Sequence, residues 1–211
     1  MLEAVDLECI RGDRRLFSGL SFGLEAGELL HLHGHNGSGK TTLLRVLCGL
    51  LLPTAGEVRW DGRSIRGLRE DYAGELTYIG HKNGIKDELT GVENLRIACR
   101  LDGLAVSEQQ AWDTLEQMGL RGHEDLPAKN LSQGQRRRVA LARLMLSKTR
   151  LWILDEPFVA LDKVAVGHLQ SVIREHIARG GMAILTTHQE VSLTQGHLRQ
   201  LQLGVGEQGH A

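Results

Sequence analysis

Apolar and polar residues alternate through residues 2–10 and 16–24, with Gly12-Asp13 between the two runs. A period of two places one set of side chains on one face of a strand, so the pair predicts a hairpin or a small β subdomain. Glu28–His33 predicts a further short strand, and residues 40–50 a helix. Residues 53–56 read as a turn, 57–60 as a strand, Asp61-Gly62 as a tight turn, and 75–79 as another strand. From Thr90 to about Lys129 the period changes to three and four. Residues 92–101 and 107–118 predict helices, with Ser107 and Gln110 as a capping box and Gly119 and Gly122 closing the stretch.

Strand–helix alternation then resumes: helix 135–146, strand 150–154, helix 163–179, strand 182–186, and an apolar-alternating piece at 198–203 before a polar tail at 204–211. This order predicts one domain over residues 1–211 built on a mainly parallel α/β sheet. The core comprises 1–80 and 131–211, and a helical subdomain is inserted at about 81–130.

Composition changes this picture little. The 211 residues carry a formal net charge of −1, which gives no global field toward nucleic acid or an anionic membrane. The three cysteines, Cys9, Cys48 and Cys99, are far apart and suit a reducing compartment. Glu3, Asp6 and Glu8 break any signal-peptide pattern at the start, and no apolar run is long enough to span a bilayer. A membrane role would therefore require another chain to supply the span.

The chemistry centres on residues 34–41, Gly34-His35-Asn36-Gly37-Ser38-Gly39-Lys40-Thr41, followed by Thr42. Glycine, four residues, then Gly-Lys-Thr is the phosphate-binding P-loop pattern, and here it joins a predicted strand to a predicted helix. The glycines let backbone N–H groups approach phosphate oxygens, and the helix N-terminus favours anions. Lys40 supplies a point charge for the β- and γ-phosphates, and Thr41 a hydroxyl for Mg²⁺. This pattern predicts a site for a nucleoside triphosphate, ATP, with Mg²⁺.

Residues 151–156 form an apolar run ending in Asp155-Glu156. A buried strand that delivers acids to its C-terminal edge places them beside the P-loop. Asp155 would hold Mg²⁺ and Glu156 would orient, or take a proton from, the attacking water. Twenty residues before Leu151 lies Leu131-Ser132-Gln133-Gly134-Gln135. Ser132 is a good N-cap and Gly134 leaves the backbone bare, which makes a second anion-binding helix terminus. One chain with two such sites implies that Ser132, Gly134 and Gln135 serve the nucleotide of a second copy, head-to-tail.

With these motifs in place the chain resembles the ABC (ATP-binding cassette) ATPases over essentially its whole length. The resemblance implies their fold, a P-loop α/β core with an antiparallel β subdomain and an inserted helical subdomain. It also implies ATP hydrolysis. Ala160-Leu161-Asp162 resembles their cross-dimer loop, and His188, in Leu185-Thr186-Thr187-His188, resembles the switch histidine at the γ-phosphate. Three positions depart from the pattern. Gln133 replaces a glycine. His81 stands where a glutamine links core and insert, and its imidazole can still hold metal or water. No aromatic lies near Ile10-Arg11-Gly12 to stack adenine, which leaves Arg11 to do so.

The runs Tyr78-Ile79-Gly80-His81, Gly84-Ile85-Lys86, Leu89-Thr90 and Glu93-Asn94-Leu95 narrow the resemblance to ATP-binding subunits of haem exporters in bacterial cytochrome c maturation. That implies integral membrane haem-handling subunits as partners and a peripheral place on the cytoplasmic face of the inner membrane. It also implies coupling of hydrolysis to haem export or to release of a haem-loaded chaperone. The alternative is a soluble ABC ATPase acting on nucleic acid or ribosomes; such proteins carry tandem cassettes, long coiled-coil insertions or basic extensions, and none is in this sequence. His31, His33 and His35 alternate, but a His pair on a strand reads as structural rather than as metal ligation. Arg136-Arg137-Arg138 reads as a solvated face or a dimer contact, not as a nucleic-acid patch.

Overall fold

The computed structural model describes residues 1–187 and 197–204. The chain begins with β1 (Leu2–Arg11), β2 (Arg14–Leu24) and β3 (Glu28–His33), followed by helix α1 (Lys40–Leu47). Strands β4 (Ala55–Trp60) and β5 (Arg63–Ser64), two single-turn helices α2 (Ile65–Leu68) and α3 (Glu70–Ala73), and β6 (Leu76–Ile79) come next. Helices α4 (Gly91–Leu101) and α5 (Glu108–Gln117) precede α6 (Gln133–Leu146), β7 (Leu151–Asp155), α7 (Lys163–Ala178), β8 (Met182–Thr186) and β9 (His197–Gln202).

Two sheets result. The first runs β2-β1-β4-β5 and is antiparallel, as the early alternation requires; the second runs β6-β7-β8-β3-β9 and is parallel throughout. All five residues of β7 and all five of β8 are buried, because the parallel sheet is covered on both faces. Alternate residues of β7 feed two cores. Leu151 and Ile153 face α1 and the antiparallel sheet, while Trp152 and Leu154 face α4–α7. Parallel strands deliver all their C-terminal ends to one edge. There His33 leads into residues 34–41, Ile79 into Gly80-His81, and Asp155 pairs in register with Thr186.

Capping decides the helix ends. Thr90, Ser107 and Ser132 each form a full capping box, with Glu93, Gln110 and Gln135 as the reciprocating residues. The helix expected over 40–50 stops at Leu47 instead. Gly49 takes a left-handed φ of 72°, its N–H bonds Val46 O, and Leu50 N–H bonds Arg45 O, which closes a Schellman motif. Strand β7 reaches Asp155, one residue beyond the expected end, and α6 starts at Gln133, two residues before it. The helices α2 and α3 were not anticipated, since a single turn is too short to show a period.

On the α7 side of the sheet, the His176 ring stacks on Trp152 with centroids 3.7 Å apart and planes 5° from parallel. Its Nε2 donates to Met182 O at 3.2 Å, and burial pushes the imidazole down to about 4. A free imidazole titrates near 6.5, so between these values the unfolded chain binds a proton that the folded chain refuses. The associated stability is therefore present above pH 6.5 and is lost as pH falls toward 4, on the order of 3 kcal/mol in all. Melting temperatures measured across that interval should fall more steeply for the wild type than for His176→Phe, which has no proton to take up. Parallel curves for the two proteins would exclude His176 as the source.

Candidate active site

The loop at 34–41 is shaped by its glycines. Gly34, Gly37 and Gly39 have φ of 151°, 79° and 99°. At Gly34 a Cβ would lie 2.4 Å from Ser38 Oγ and 2.9 Å from Leu203 O, so no side chain fits. Lys40 folds back over the loop, its Nζ donating to Gly34 O at 2.6 Å and His35 O at 3.2 Å. Helix α1 starts at Gly39 with no side-chain cap and no acid in its first turn. Its leading N–H groups therefore point to an external acceptor. Ser38 Oγ is buried without a hydrogen-bond partner. A polyphosphate meets these requirements at once: an anion for the uncapped N–H groups, an acceptor for Ser38, and a counter-charge for Lys40.

Beside the loop, Asp155 is 2 % exposed and is held from two sides. Thr41 Oγ1 donates to its Oδ2 at 2.8 Å, and Thr186 Oγ1 to its Oδ1 at 2.8 Å. The register that sets Thr186 opposite Asp155 makes the second bond possible. Thr186 Oγ1 also accepts from Glu156 N at 2.9 Å. Thr41 and Asp155 thus present adjoining oxygens of the type Mg²⁺ takes, hard and partly hydrated. A cavity of about 580 Å³ opens over these groups, lined by Arg11, Leu16, Lys40, Thr41, Thr42, His81, Asp155 and Glu156 among others.

The structure brings His81 and Arg11 to this cavity. His35 is exposed and its Nδ1 donates to Asn36 O at 2.9 Å. Arg11 Nη2 donates to Leu52 O at 3.3 Å, and Leu16 offers the apolar surface near it. His188 lies outside the described residues. The helix start at Ser132 stands apart from this cavity. Ser132 Oγ accepts from Gln135 N at 3.2 Å, and Gln135 Oε1 accepts from Ser132 N at 2.8 Å, so the Gln135 side chain is engaged within its own helix. Gly134 has a steric reason as well as a chemical one. A Cβ there would meet Ala160 O at 2.6 Å, which locks the helix start against the 160–162 loop. His31 and His33 do share a strand face, with ring centroids 3.6 Å apart; His31 Nε2 donates to Thr187 O at 3.4 Å.

The solvated-face half of one expectation fails at a single residue. Arg136–Arg138 is not a uniformly solvated run, because Arg137 is 3 % exposed and its guanidinium reaches the loops after β6 and β7. Helical phase carried the signal. Arg137, Leu141 and Leu144, at i, i+4 and i+7, share the buried stripe of α6. Thr186 was also missed as a functional residue, since only sheet register reveals its neighbour.

A family model described as ABC transporter matches residues 17–159. The cytochrome c biogenesis ATP-binding export protein CcmA of Dechloromonas aromatica is 59% identical over 204 residues, covering 97% of this chain and 100% of that protein. Among solved structures, a putative ABC transporter ATP-binding protein from Pyrococcus furiosus superposes with a TM-score of 0.81 at 27% identity, covering 96% of both chains. The dimeric ATP-binding cassette MJ0796, in a post-hydrolysis state bound to ADP and Pi, superposes with a TM-score of 0.79 at 22% identity. It covers 90% of this chain and 88% of that one, a likeness of fold alone.

The Asp155–Thr186 contact yields a direct test. Thr186→Val keeps the shape but leaves Asp155 Oδ1 and Glu156 N–H without their partner, a loss of about 1–3 kcal/mol. The melting temperature should fall by roughly 2–12 °C and ATP turnover should drop, with Thr186→Ser restoring both. Wild-type stability and turnover in Thr186→Val would show that Asp155 does not depend on this hydroxyl.

Proposed function

The chain belongs to the ABC transporter family, within its CcmA group, and from that premise we propose that it is the ATP-hydrolysing subunit of a membrane complex for cytochrome c biogenesis. It couples hydrolysis to haem export or to release of a haem-loaded chaperone. The observation that carries the catalytic part is the Thr41–Asp155 hydrogen bond, which joins the P-loop helix to the acid-bearing strand end. Gly34, His35, Asn36, Gly37, Ser38, Gly39, Lys40, Thr41 and Thr42 hold the triphosphate, while Thr41 and Asp155 hold Mg²⁺. The metal, when bound, neutralises charge on the phosphate oxygens. Lys40 exchanges its contacts with Gly34 O and His35 O for phosphate oxygens. Glu156 orients the attacking water and takes its proton, with His81 beside it on the cavity wall; the switch role that the family resemblance implies for His188 falls outside the described residues.

A single chain leaves the second helix terminus without a phosphate of its own. Ser132 and Gly134, with Gln135 fixing the cap, serve the nucleotide of a second copy in a head-to-tail dimer. The partner across the membrane engages a groove of about 720 Å³ lined by Tyr78, residues 80–86, Ile97, Leu101 and Arg143. Leu50, Ile97 and Leu101 are large exposed apolar side chains on its rim. Buried Asn94 braces the groove by accepting from Lys86 N and donating to Lys86 O, Leu89 O and Thr90 O. His81 lines both this groove and the nucleotide cavity, so the state of the nucleotide reaches the docking surface through the 80–86 loop. None of the described helices is long and apolar enough to cross a membrane, so the integral haem-handling subunits supply the span. The protein then sits peripherally on the cytoplasmic face of the inner membrane. A soluble role on nucleic acid or ribosomes is not favoured by a net charge of −1.

Glu156→Gln should bind ATP as the wild type does and turn over about 10²–10⁴-fold more slowly, accumulating ATP-bound dimer in gel filtration. Hydrolysis near the wild-type rate would remove Glu156 from the mechanism. Ser132→Arg and Lys40→Ala should each be inactive alone. Mixed together they should regain partial activity, because one composite site per heterodimer is intact. A mixture as dead as its components, or an active Ser132→Arg protein, would rule out shared sites.

A further inference from the structure

The guanidinium of Arg137 makes five hydrogen bonds, matching its five N–H donors. Nε donates to Pro157 O at 3.3 Å, Nη1 to Gly80 O and Asn83 Oδ1 at 3.0 Å each, and Nη2 to Asp155 O at 3.1 Å and Glu156 O at 2.9 Å. Four of the acceptors are main-chain carbonyls, and they belong to the two loops that leave the sheet edge at the nucleotide cavity. Glu156 has a φ of 51°, a left-handed conformation that a non-glycine residue holds at a cost of about 1–3 kcal/mol unless its surroundings enforce it. Among the bonds that hold the residue are one from its N–H to Thr186 and two to its carbonyl, from Arg137 and from Val159 N–H at 3.3 Å. Arg137 itself lies in the second turn of α6, the helix whose first turn is capped by Ser132.

We propose that Arg137 is a positioning residue that sets the backbone of Glu156 for hydrolysis and ties it rigidly to α6 and to the His81 loop. The inference rests on the hydrolytic reading above. Its consequence is mechanical. A displacement of α6, produced when its N-terminus meets the nucleotide of a second copy, moves the carbonyls of residues 155–157 and Gly80 together, because one planar group holds them all. Lysine cannot replace this group, since an ammonium has three donors on a single atom and cannot span acceptors spread over two loops. Burial draws the guanidinium below the usual arginine value, opposed by the carboxylates of Asp155 and Glu156, whose negative charges balance it in the interior.

The test compares Arg137→Gln and Arg137→Lys with the wild type in three measurements. Backbone hydrogen exchange should quicken at residues 80–83 and 155–158 and stay unchanged in α4 and α5. Affinity for a fluorescent ATP analogue should stay within about 3-fold, while kcat falls by about 10- to 100-fold, the cost of a misplaced reacting group. In Arg137→Ala, millimolar guanidinium should restore part of the turnover. In a Glu156→Gln background the Arg137 change should add little, because both act through one residue. A folded Arg137→Gln protein with wild-type kcat would overturn the proposal. So would a global rise in exchange with ATP affinity and turnover lost together and no guanidinium rescue. If Arg137→Gln does not fold, Arg137→Lys decides by the same criteria. A wild type without ATP turnover would sink the hydrolytic reading, and the exchange comparison would still decide whether Arg137 clamps the two loops.

Discussion

A carboxylate buried to 2 % exposure at the end of a parallel strand is the constraint from which the site follows. Removing Asp155 from water costs several kcal/mol unless its lone pairs are met. They are met by hydroxyls from two different elements, Thr41 on the P-loop helix and Thr186 on the neighbouring strand. Each bond requires a particular alignment. The first needs α1 pressed against the sheet edge, and the second needs β7 and β8 in the observed register. The nearby Arg137 guanidinium supplies the opposite charge without touching the carboxylate, so both Asp155 oxygens face the threonines. The protein's apolar layers hold this polar junction in place, and the junction fixes how α1 and the end of β7 meet at the cavity.

Around that junction the polar groups divide into those satisfied internally and those left for a ligand. Among the described helices longer than a single turn, α4, α5, α6 and α7 carry side-chain caps from Thr90, Ser107, Ser132 and Asp162, whereas α1 has none. Ser38 Oγ is buried and unpartnered beside it. Lys40 donates to the loop carbonyls of Gly34 and His35. An anion bound at this loop would supply acceptors for the uncapped helix start and for the Ser38 hydroxyl. This is a physical reason for the ABC fold to be a switch: nucleotide completes interactions that the chain by itself leaves open.

Two loops carry that completion outward. The 80–86 loop borders both the nucleotide cavity and the apolar groove, and Arg137 joins it to the Glu156 turn. Gly134 meanwhile seats the start of α6 against Ala160 at a distance no side chain would permit. The cavity over residues 34–41, the start of α6 and the 80–86 groove are thus connected by one buried guanidinium bonded to main-chain carbonyls and by close packing. A packed connection of this kind passes on small displacements instead of absorbing them.

The sequence by itself determined the motifs and the layers. Spacing named residues 34–41, the acids at 155 and 156 and the cap at Ser132, because each is a short run of residue types that can be read without its tertiary partners. Periodicity gave the antiparallel and parallel sheets, because burial on one face or two leaves a visible pattern. Helix ends were less legible; α1 stops at Leu47 through a left-handed Gly49 that the apolar run around Leu50 conceals. Only tertiary structure decided the contacts of Thr186 and Arg137. Thr186 lies 31 residues from Asp155 along the chain and meets it through strand register alone. Arg137 sits in a run of three arginines that local charge reads as surface, and the rotation of α6 against the sheet buries just the middle one. A buried cation is stable only where distant carbonyls converge on it, and such convergence is a property of the fold, not of any segment.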